Sequence, residues 1–509
     1  MFARLFSTAF EGVEAYPVEV EVDIRSSGKS EIALVGLPDA AVRESAERVR
    51  SAITNSGFSM PRGKVIVNLA PADRRKEGPL FDLAIALGTL VAGGQLARTD
   101  NSAYMLGELS LDGSVRPVKG AISAALTASR RGVERVFVPV QNAREAAVVE
   151  GVDVIGVDSL AKAVAIVTGK APADPVKVDI KKLMDEGGDD VDFNDVRGQS
   201  AAKRAMTIAA AGGHNVILVG PPGSGKTMLA RRLPTILPSL TFDEAIEATS
   251  IHSLAGQLGT GSALLTRRPF RHPHHNVSVP ALIGGGQVPG PGEVSLAHNG
   301  VLFLDELAEF PRSGLESLRQ PLEDGGVTIS RVGAKISLPS QFMLVAAANP
   351  CPCGHLGDFR KSCKCSPSQI ARYRSRFSGP LLDRIDMHIE VSAVKVKDMG
   401  LAKEGPSSAD VRKKVQAARD IQLERFRDIK RVNCNSRMTS SLIREHCRLD
   451  NDSNKLIQMA MDQLGLSARA YSRIVKLART IADLDEKRDM QRNHIAEAVQ
   501  YRTLDRSDA

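Results

Sequence analysis

Hydrophobic and polar positions divide the chain into three stretches. In the first, which ends near residue 170, short apolar runs predict strands and longer segments with a 3.6-residue period predict helices. The clearest of these elements are the strands Val18–Val22, Ile32–Val35 and Lys64–Asn68 and the helix Ala40–Asn55. This alternation predicts a domain that contains both strands and helices.

The second stretch runs from Phe193 to about Ser392 and shows a different pattern. Its apolar runs Val216–Val219, Val301–Leu304 and Met343–Ala347 are continuous and are followed by turn residues and helices. Continuous apolar runs are typical of strands that are covered on both faces. The pattern predicts a parallel α/β sheet.

The third stretch, from about Lys395 onward, is predicted to be helical. Ser407-Ser408-Ala409-Asp410 has the form of a capping box for a helix that runs to about Phe426. Further helices are predicted at Ser440–Cys447, Asp452–Leu464, Ala468–Leu484 and Met490–Tyr501. These helices predict a C-terminal helical lid.

Composition suggests where the domains divide. At ~150 residues per domain, 509 residues predict two to three domains. Residues 171–195 contain proline and many acidic residues, which is more typical of a solvated linker than of a binding site. We therefore predict domains at 1–170, 196–392 and 393–509, with a cysteine-rich insertion at 351–365.

Cysteine usage and charge narrow the class of protein. Six cysteines are too few for a disulfide scaffold, and neither a signal peptide nor an apolar run long enough for a membrane is found. We expect a cytoplasmic protein without a membrane partner. The net charge of +8 permits a polyanionic partner without requiring one, and the absence of tryptophan argues against base stacking.

One motif predicts a phosphate-binding loop. It satisfies G-x-x-x-x-G-K-[ST], follows an apolar strand and precedes a helix, which is the context that such a loop needs. Its members are Gly220, Pro221, Pro222, Gly223, Ser224, Gly225, Lys226 and Thr227. Backbone N–H groups would face the phosphates, Lys226 would supply a point charge, and the Thr227 hydroxyl would contact Mg²⁺. The predicted cofactors are ATP and magnesium.

Polar residues follow two later strands. Asp305 and Glu306 end one strand, where Asp305 could hold Mg²⁺ through water and Glu306 could activate the attacking water. Asn349 ends the next strand and could position the same water. Two acids at a strand tip could equally belong to a solvated loop, but together with the phosphate loop they indicate ATP hydrolysis.

Two arginines are candidates for acting on the γ-phosphate. Arg384 follows a short apolar segment and could complete a neighbouring subunit's site, and Arg469 opens a helix near the C-terminus. A surface salt bridge is the alternative for each.

Four of the six cysteines form a C-x-C…C-x-C set. They are Cys351, Cys353, Cys363 and Cys365. Four thiolates suit tetrahedral Zn²⁺, although C-x-C is tighter than the usual zinc spacing, and reduced thiols in an irregular insertion are the alternative.

Two basic segments are candidates for contacting DNA. Arg268 and Arg271 flank a histidine run that its prolines make stiff. This segment is either a loop that faces a polyanion or part of the solvated surface. The alternating segment Val327–Leu338 predicts a hairpin with Arg331 and Lys335 near its tip.

In this order, the motifs resemble those of an AAA+ ATPase, and more narrowly those of the Mg-chelatase-like YifB/ComM family, over essentially the whole chain. The narrowing signatures are the runs Arg268–His275, Arg319–Gly325, Asn349–Gly354, Ser467–Tyr471 and His494–Arg502. The resemblance implies that Asn349 is sensor 1, Arg384 the arginine finger and Arg469 sensor 2. It also implies a ring, usually a hexamer, in which the hairpin lines the pore.

The N-terminal stretch is similar to the Lon protease domain, which has an S5-like α+β fold. Lon enzymes carry a nucleophilic serine where this chain has Leu80 and a catalytic lysine where it has Ile122, while Lys119 is three positions away. Since a serine–lysine dyad needs a hydroxyl and a base in contact, we predict that this domain is proteolytically inactive.

The resemblance favours one function over three others. It implies a DNA helicase that promotes branch migration and strand integration on single-stranded and branched DNA during natural transformation. The alternative is a Mg-chelatase-type ATPase that remodels a protein partner, although the Lon-like domain in front argues against it. A protease is disfavoured by Leu80 and Ile122, and a scaffold by the intact Lys226, Asp305 and Glu306.

Overall fold

The computed structural model describes two compact units. The described residues are 2–25, 31–97, 103–185, 191–259, 261–286, 290–331, 334–377, 379–393, 405–429 and 432–502, with the backbone alone at 330, 331, 334, 335, 379 and 380. The first unit comprises Met1–Glu186, Ala245–Leu265 and Ser330–Ser337. The second comprises Gly187–Glu244, Thr266–Ile329 and Leu338–Ala509.

The first unit is built on a mixed β-sheet. Its strands are β1 (Phe2–Glu11), β2 (Glu14–Arg25), β3 (Glu31–Val35), β4 (Lys64–Ala70), β5 (Ala103–Met105), β6 (Glu108–Leu109), β7 (Val115–Arg116), β8 (Arg135–Pro139) and β9 (Asp153–Val157). Among the described residues, seven strands pair in the order β3-β4-β2-β1-β5-β8-β9, and β6 pairs with β7. β2 is antiparallel to β1 and β4, and the other pairs of the large sheet are parallel. The three strands predicted in this stretch are confirmed.

The described helices of this unit lie between and after these strands in the chain. They are α1 (Ala40–Asn55), α2 (Asp82–Ala92), α3 (Ala121–Arg130), α4 (Val140–Ala146), α5 (Leu160–Val167) and α6 (Ile180–Asp185). α1 has the predicted bounds and begins where the Asp39 carboxylate accepts a hydrogen bond from the Val42 N–H at 2.7 Å. α2 lies close to the sheet, since a Cβ on its Gly88 would come within 2.8 Å of Val22 Cγ2.

A buried ion pair joins α1 to α2. The fully buried carboxylate of Asp82 accepts hydrogen bonds from Arg48 Nε at 2.8 Å and from the Leu109 N–H at 3.2 Å. Burial raises the pKa of Asp82 although Arg48 opposes the rise. A buried carboxylate needs such partners, because an unpaired charge in the interior is strongly destabilising.

The two positions that distinguish this unit from Lon enzymes lie in its core. Leu80, in a turn of 3₁₀ helix, and Ile122, on α3, are both buried. Apolar packing explains why these residues are there, and the proteolytic inactivity of the unit stays a prediction.

The second unit contains the predicted parallel sheet. From residue 191 onward the strands are β10 (Val216–Val219), β11 (Phe270–Arg271), β12 (Gly284–Gly285), β13 (Gly290–Pro291), β14 (Val301–Leu304), β15 (Gly326–Arg331), β16 (Ala334–Pro339), β17 (Met343–Ala348) and β18 (Met387–Glu390). Within the described residues, five strands pair in parallel in the order β11-β14-β17-β10-β18. Every residue of β10, β14 and β17 is buried, as their continuous apolar runs predict. β15 pairs with β16, which confirms the predicted hairpin.

The described helices of this stretch lie before, between and after the strands. They are α7 (Ser200–Gly212), α8 (Lys226–Ile236), α9 (Phe242–Ala255), α10 (Val279–Ile283), α11 (Glu293–Leu296), α12 (Arg312–Ser317), α13 (Arg319–Asp324), α14 (Pro367–Arg374), α15 (Gly379–Leu382), α16 (Ser408–Arg425), α17 (Ser440–His446), α18 (Asn451–Leu464), α19 (Ala468–Leu484) and α20 (Arg492–Gln500). The five C-terminal helices match the predicted ones to within about two residues at most boundaries. Ser407 and Asp410 form the predicted capping box at the start of α16.

The described residues of the acidic segment 171–195 include a helix and a capped turn. The helix is α6, and Asp192 caps a 3₁₀ turn while its carboxylate accepts a hydrogen bond from the Ser408 N–H at 3.1 Å. Asp195 forms an ion pair with Arg232 at 3.3 Å. These two carboxylates therefore stabilise the second unit, a role that composition did not indicate. Glu186, Asp189 and Asp190 lie outside the described residues.

Within the described part of the chain, no helix combines the length and the apolarity that crossing a bilayer requires.

A buried polar cluster centred on Asp386 lies at the edge of the parallel sheet. Its carboxylate forms ion pairs with Arg473 on α19 and with His214 Nδ1 at 3.6 Å, and it accepts a hydrogen bond from the Asn215 N–H at 3.0 Å. Burial would raise the pKa of Asp386, but the Arg473 guanidinium holds it well below its usual range. Burial also lowers the pKa values of His214 and, on β18, His388.

These histidines predict a loss of stability in mild acid. A histidine whose pKa is lower in the folded state binds fewer protons there, so stability falls as the pH drops below ~6.5, the value for an unfolded chain. We expect the midpoint of urea unfolding, followed by far-UV circular dichroism, to fall between pH 7.5 and 5.5. Replacing His388 with glutamine should reduce the accompanying loss in free energy of unfolding by up to ~1.4 kcal/mol, the value of one proton over one pH unit. An identical fall in the wild type and in His388→Gln would contradict the assignment.

Candidate nucleotide-binding site and four-cysteine cluster

The phosphate loop lies between β10 and α8. Gly223 and Gly225 have φ values of 74° and 94°, the left-handed region that favours glycine. Gly220 is needed for another reason, because a Cβ there would lie 2.1 Å from the Val391 carbonyl oxygen. α8 begins at Lys226, so its free N–H groups and the positive end of its dipole lie at the loop, as anion binding requires.

Lys226 points into this loop. Its buried ammonium donates hydrogen bonds to the Gly220 carbonyl at 2.7 Å, the Pro221 carbonyl at 3.0 Å and Asn349 Oδ1 at 3.4 Å. Burial lowers the pKa of Lys226, while the Asp305 and Glu306 carboxylates act in the opposite direction. The structure thus brings the predicted lysine and the predicted sensor 1 residue into contact.

Thr227 and Asp305 form the candidate magnesium site. The Thr227 hydroxyl donates a hydrogen bond to Asp305 Oδ2 at 2.8 Å, although 78 residues separate the two in the chain. A hydroxyl and a carboxylate side by side at the phosphate loop fit Mg²⁺, which prefers oxygen ligands together with those of a bound phosphate.

Glu306 has an unusual backbone and a partner that the sequence did not reveal. Its φ is 51°, which is strained for a residue with a side chain, and its N–H donates to Asp305 Oδ1 at 2.9 Å. Its largely exposed carboxylate lies 3.6 Å from His275 Nδ1. His275, which the sequence suggested as part of a polyanion-facing loop, instead contacts the predicted catalytic acid. The Arg-Pro-Phe-Arg-His-Pro-His-His signature contains this histidine, but spacing alone did not connect it with Glu306.

The two predicted γ-phosphate arginines contact acids rather than the phosphate loop. Arg384 pairs with Glu323, and only 8% of the Arg384 side chain is exposed. Arg469 is largely exposed and lies 3.7 Å from Asp383 Oδ2. Their roles as arginine finger and sensor 2 remain predictions, because the first concerns a neighbouring subunit and the second a bound nucleotide.

Intramolecular contacts occupy two of the four candidate DNA-binding residues. Arg268 donates to Glu244 and to the carbonyls of Pro238, Ser239 and Asn299, all within 3.1 Å.

Arg271 forms a bidentate pair with Glu293 at 2.7 and 2.8 Å. Both arginines therefore stabilise the fold through intramolecular contacts, and their predicted contact with DNA stays a prediction. The side chains of Arg331 and Lys335, at the ends of the hairpin strands, lie outside the described residues.

The four cysteines come together as one cluster. All four Sγ atoms lie within 4.8 Å of one another, and all four residues are free thiols. Hydrogen bonds from the backbone N–H groups of His355 and Lys364 lower the pKa of the Cys353 thiol to about 6. The four-cysteine cluster thus has the donor set and the proximity that a tetrahedral metal ion needs.

The site predicts separable effects on ATP binding and hydrolysis. Glu306→Gln should bind a fluorescent ATP analogue as the wild type does, yet release phosphate at least ~100-fold more slowly because the general base is lost. Lys226→Ala should lose binding. Glu309→Gln is the matched control, since Glu309 is an exposed acid of the adjacent 3₁₀ turn and pairs with Arg376. If Glu306→Gln hydrolysed ATP at the rate of Glu309→Gln, the role of Glu306 would be refuted.

Three protein-family models together match most of the chain. Residues 20–142 match the family described as Subunit ChlI of Mg-chelatase, 192–399 match Magnesium chelatase, subunit ChlI, and 405–502 match Magnesium chelatase, subunit ChlI C-terminal. A match of 29% identity over 165 residues, covering 31% of this chain, relates it to the magnesium-chelatase 67 kDa subunit of Chlorobaculum parvum, of which it covers 23%.

Two relatives match along nearly their whole length. Competence protein ComM of Haemophilus influenzae is 45% identical over 507 residues, which is 99% of this chain and 97% of that protein. Protein YifB of Salmonella typhimurium is 44% identical over 507 residues, again 99% and 97%. Mg-chelatase-like AAA+ proteins of this kind are ATPases that use ATP and magnesium, in agreement with the geometry of the phosphate loop. The chain belongs to the YifB/ComM family of Mg-chelatase-like AAA+ proteins.

Proposed function

We propose that the protein is a ring-forming, ATP-driven DNA motor, a helicase that promotes branch migration and strand integration during natural transformation. The observation that carries the proposal is the 45% identity, over nearly the full length, to a protein named for competence. Its cofactors are ATP and magnesium at the phosphate loop, with zinc as a structural ion at the four-cysteine cluster. It acts in the cytoplasm, with single-stranded and branched DNA as its partners.

The residues of the site have separate roles in ATP hydrolysis. The loop N–H groups and Lys226 hold the β- and γ-phosphates, and Thr227 and Asp305 hold the magnesium ion that accompanies the nucleotide. Glu306 takes a proton from the attacking water, and Asn349, which contacts Lys226, orients that water. Preorganised charges of this kind lower the barrier without a covalent intermediate.

The hairpin of β15 and β16 is the proposed DNA-contacting element. It carries Arg331 and Lys335 near the turn, and copies of these cations around a ring would form a field that follows a phosphate backbone. Such contacts depend on salt and not on sequence, as expected for a motor that moves along DNA.

Steady-state ATP hydrolysis with and without DNA tests this proposal. We expect single-stranded and forked DNA to accelerate phosphate release, and we expect the acceleration to disappear in Arg331→Ala/Lys335→Ala. Lys413→Ala/Lys414→Ala removes the same charge from an exposed part of α16 and serves as the control. Hydrolysis that no DNA stimulates would reject the motor. It would favour the alternative suggested by the local match to a magnesium-chelatase subunit, an ATPase that remodels a protein partner.

Mixing two inactive variants tests the ring and the arginine finger together. Arg384→Ala subunits lack the finger but keep Lys226, whereas Lys226→Ala subunits cannot bind ATP but offer an intact Arg384. Each variant alone should be inactive, and part of the hydrolysis should return in a mixture, because one subunit completes the site of its neighbour. Mixed rings seen by size-exclusion chromatography that remain inactive would disprove action in trans.

A further inference from the structure

The sulfur positions in the four-cysteine cluster fit a metal site and not a disulfide. Cys351 Sγ lies 3.4 Å from Cys353 Sγ and 3.7 Å from Cys363 Sγ, and the last two are 3.6 Å apart. A tetrahedral zinc ion with Zn–S bonds of about 2.3 Å holds its sulfurs about 3.8 Å apart. A disulfide would need about 2 Å. These three distances match the edge of such a tetrahedron, and Cys365 Sγ lies within 4.8 Å of the other three sulfurs.

Backbone N–H groups support the sulfurs from outside. The Cys365 N–H donates to Cys363 Sγ at 3.4 Å, and the N–H groups of His355 and Lys364 donate to Cys353. Hydrogen bonds of this kind stabilise thiolates and orient metal ligands. They are difficult to explain for thiols that merely fill an irregular insertion.

The loop between the two cysteine pairs lies directly on the phosphate loop. A Cβ on Gly354, whose φ is 80°, would come within 2.8 Å of the Pro222 ring. Arg360 Nη2 donates to the Pro222 carbonyl at 3.4 Å, and the side chain of Asp358, which is only 1% exposed, holds the Arg360 guanidinium. Two separate contacts thus connect the cysteine loop to Pro222.

Both ends of the cysteine loop also connect to the catalytic strand. Cys351 follows the sensor 1 residue Asn349 by two positions, and after the second pair the chain enters α14, where the buried Tyr373 receives a hydrogen bond from the Asn349 backbone. A metal ion at the cluster would therefore hold the loop against Pro222 and close to the backbone of Asn349.

We infer that the four cysteines bind one zinc ion and that the loop 351–365 held by this ion is a clamp on Pro222 that keeps the phosphate loop in its ATP-binding form. Binding requires all four cysteines as thiolates, so the zinc ion displaces the protons that the sulfurs still carry. The clamp rests on the ATP-hydrolysis part of the proposed function and is independent of the DNA part. Arg360 and Gly354 act on the nucleotide only through Pro222, as positioning residues.

Metal analysis of the full chain tests the first half of this inference. We expect one zinc per chain in the wild type and none in Cys353→Ser/Cys363→Ser. Cys434→Ser is the matched control and should keep its zinc, since the Cys434 thiol lies outside the cluster and contacts the Ser436 hydroxyl, which a serine can also do. A wild-type protein purified from zinc-supplemented cells that contains no zinc would overturn the inference.

Kinetics without DNA test the clamp. Arg360→Ala should keep its zinc but raise KM for ATP by about three- to tenfold, the effect of losing one hydrogen bond, with kcat little changed. A variant that was merely less stable would instead lose kcat at constant KM. Lys361→Ala, the neighbouring exposed cation, is the control. Gly354→Ala should act in the same direction as Arg360→Ala.

Zinc removal from the wild type covers the case in which the cysteine variants do not fold. A zinc-selective chelator that leaves Mg²⁺ in place should raise KM for ATP, and added zinc should restore it while circular dichroism stays constant. Arg360→Ala, Gly354→Ala and zinc-free wild type with unchanged KM would refute the clamp. Because every readout is taken without DNA, a failure of DNA stimulation would reject the motor and leave these results standing.

Discussion

The parallel pairing of β17 between β10 and β14 is the constraint on which the nucleotide site depends. All three strands are buried along their length and run in the same direction, so their carboxyl ends meet at one edge of the sheet. The phosphate loop, Asp305 and Asn349 follow those ends directly. The strand order therefore explains contacts between distant residues, such as that of Thr227 with Asp305 across 78 residues.

Buried polar groups then fix the far end of the same sheet. Asn215, just before β10, accepts a hydrogen bond from the Leu344 N–H of β17 at 2.8 Å and donates one to the Arg384 carbonyl at 3.0 Å. Asp386 ties this corner to α19 through Arg473. Polar groups that satisfy one another in the interior specify one arrangement, because any other would leave some of them unpaired. The position of the Arg384 backbone is thus set by the core of the sheet.

Local patterns predicted most of the fold, and they predicted the part of the site that lies at strand ends. The predicted bounds are correct for the strands Val216–Val219 and Val301–Leu304 and for the helix Ala40–Asn55. Neighbouring residues determine these bounds, since a continuous apolar run and a capped amphipathic helix are both local patterns. The pairings of His275 with Glu306 and of Arg268 with Glu244 were not predictable. Each joins residues more than 20 positions apart, and a charged residue in a sequence carries no sign of whether its partner is solvent, DNA or an acid of the same chain.

Arg384 illustrates how such a pair can still be compatible with a role in a neighbouring subunit. Its backbone is held by Asn215, but its guanidinium pairs with Glu323, whose side chain is 53% exposed. Because the guanidinium is buried, any group that replaces Glu323 must also carry a negative charge, as a phosphate does. A guanidinium on a rigid backbone with an exchangeable partner combines precise placement with freedom to change its contact. The requirement that it leave Glu323 would make hydrolysis depend on the neighbour's position, which is the property that a ring needs to coordinate its subunits.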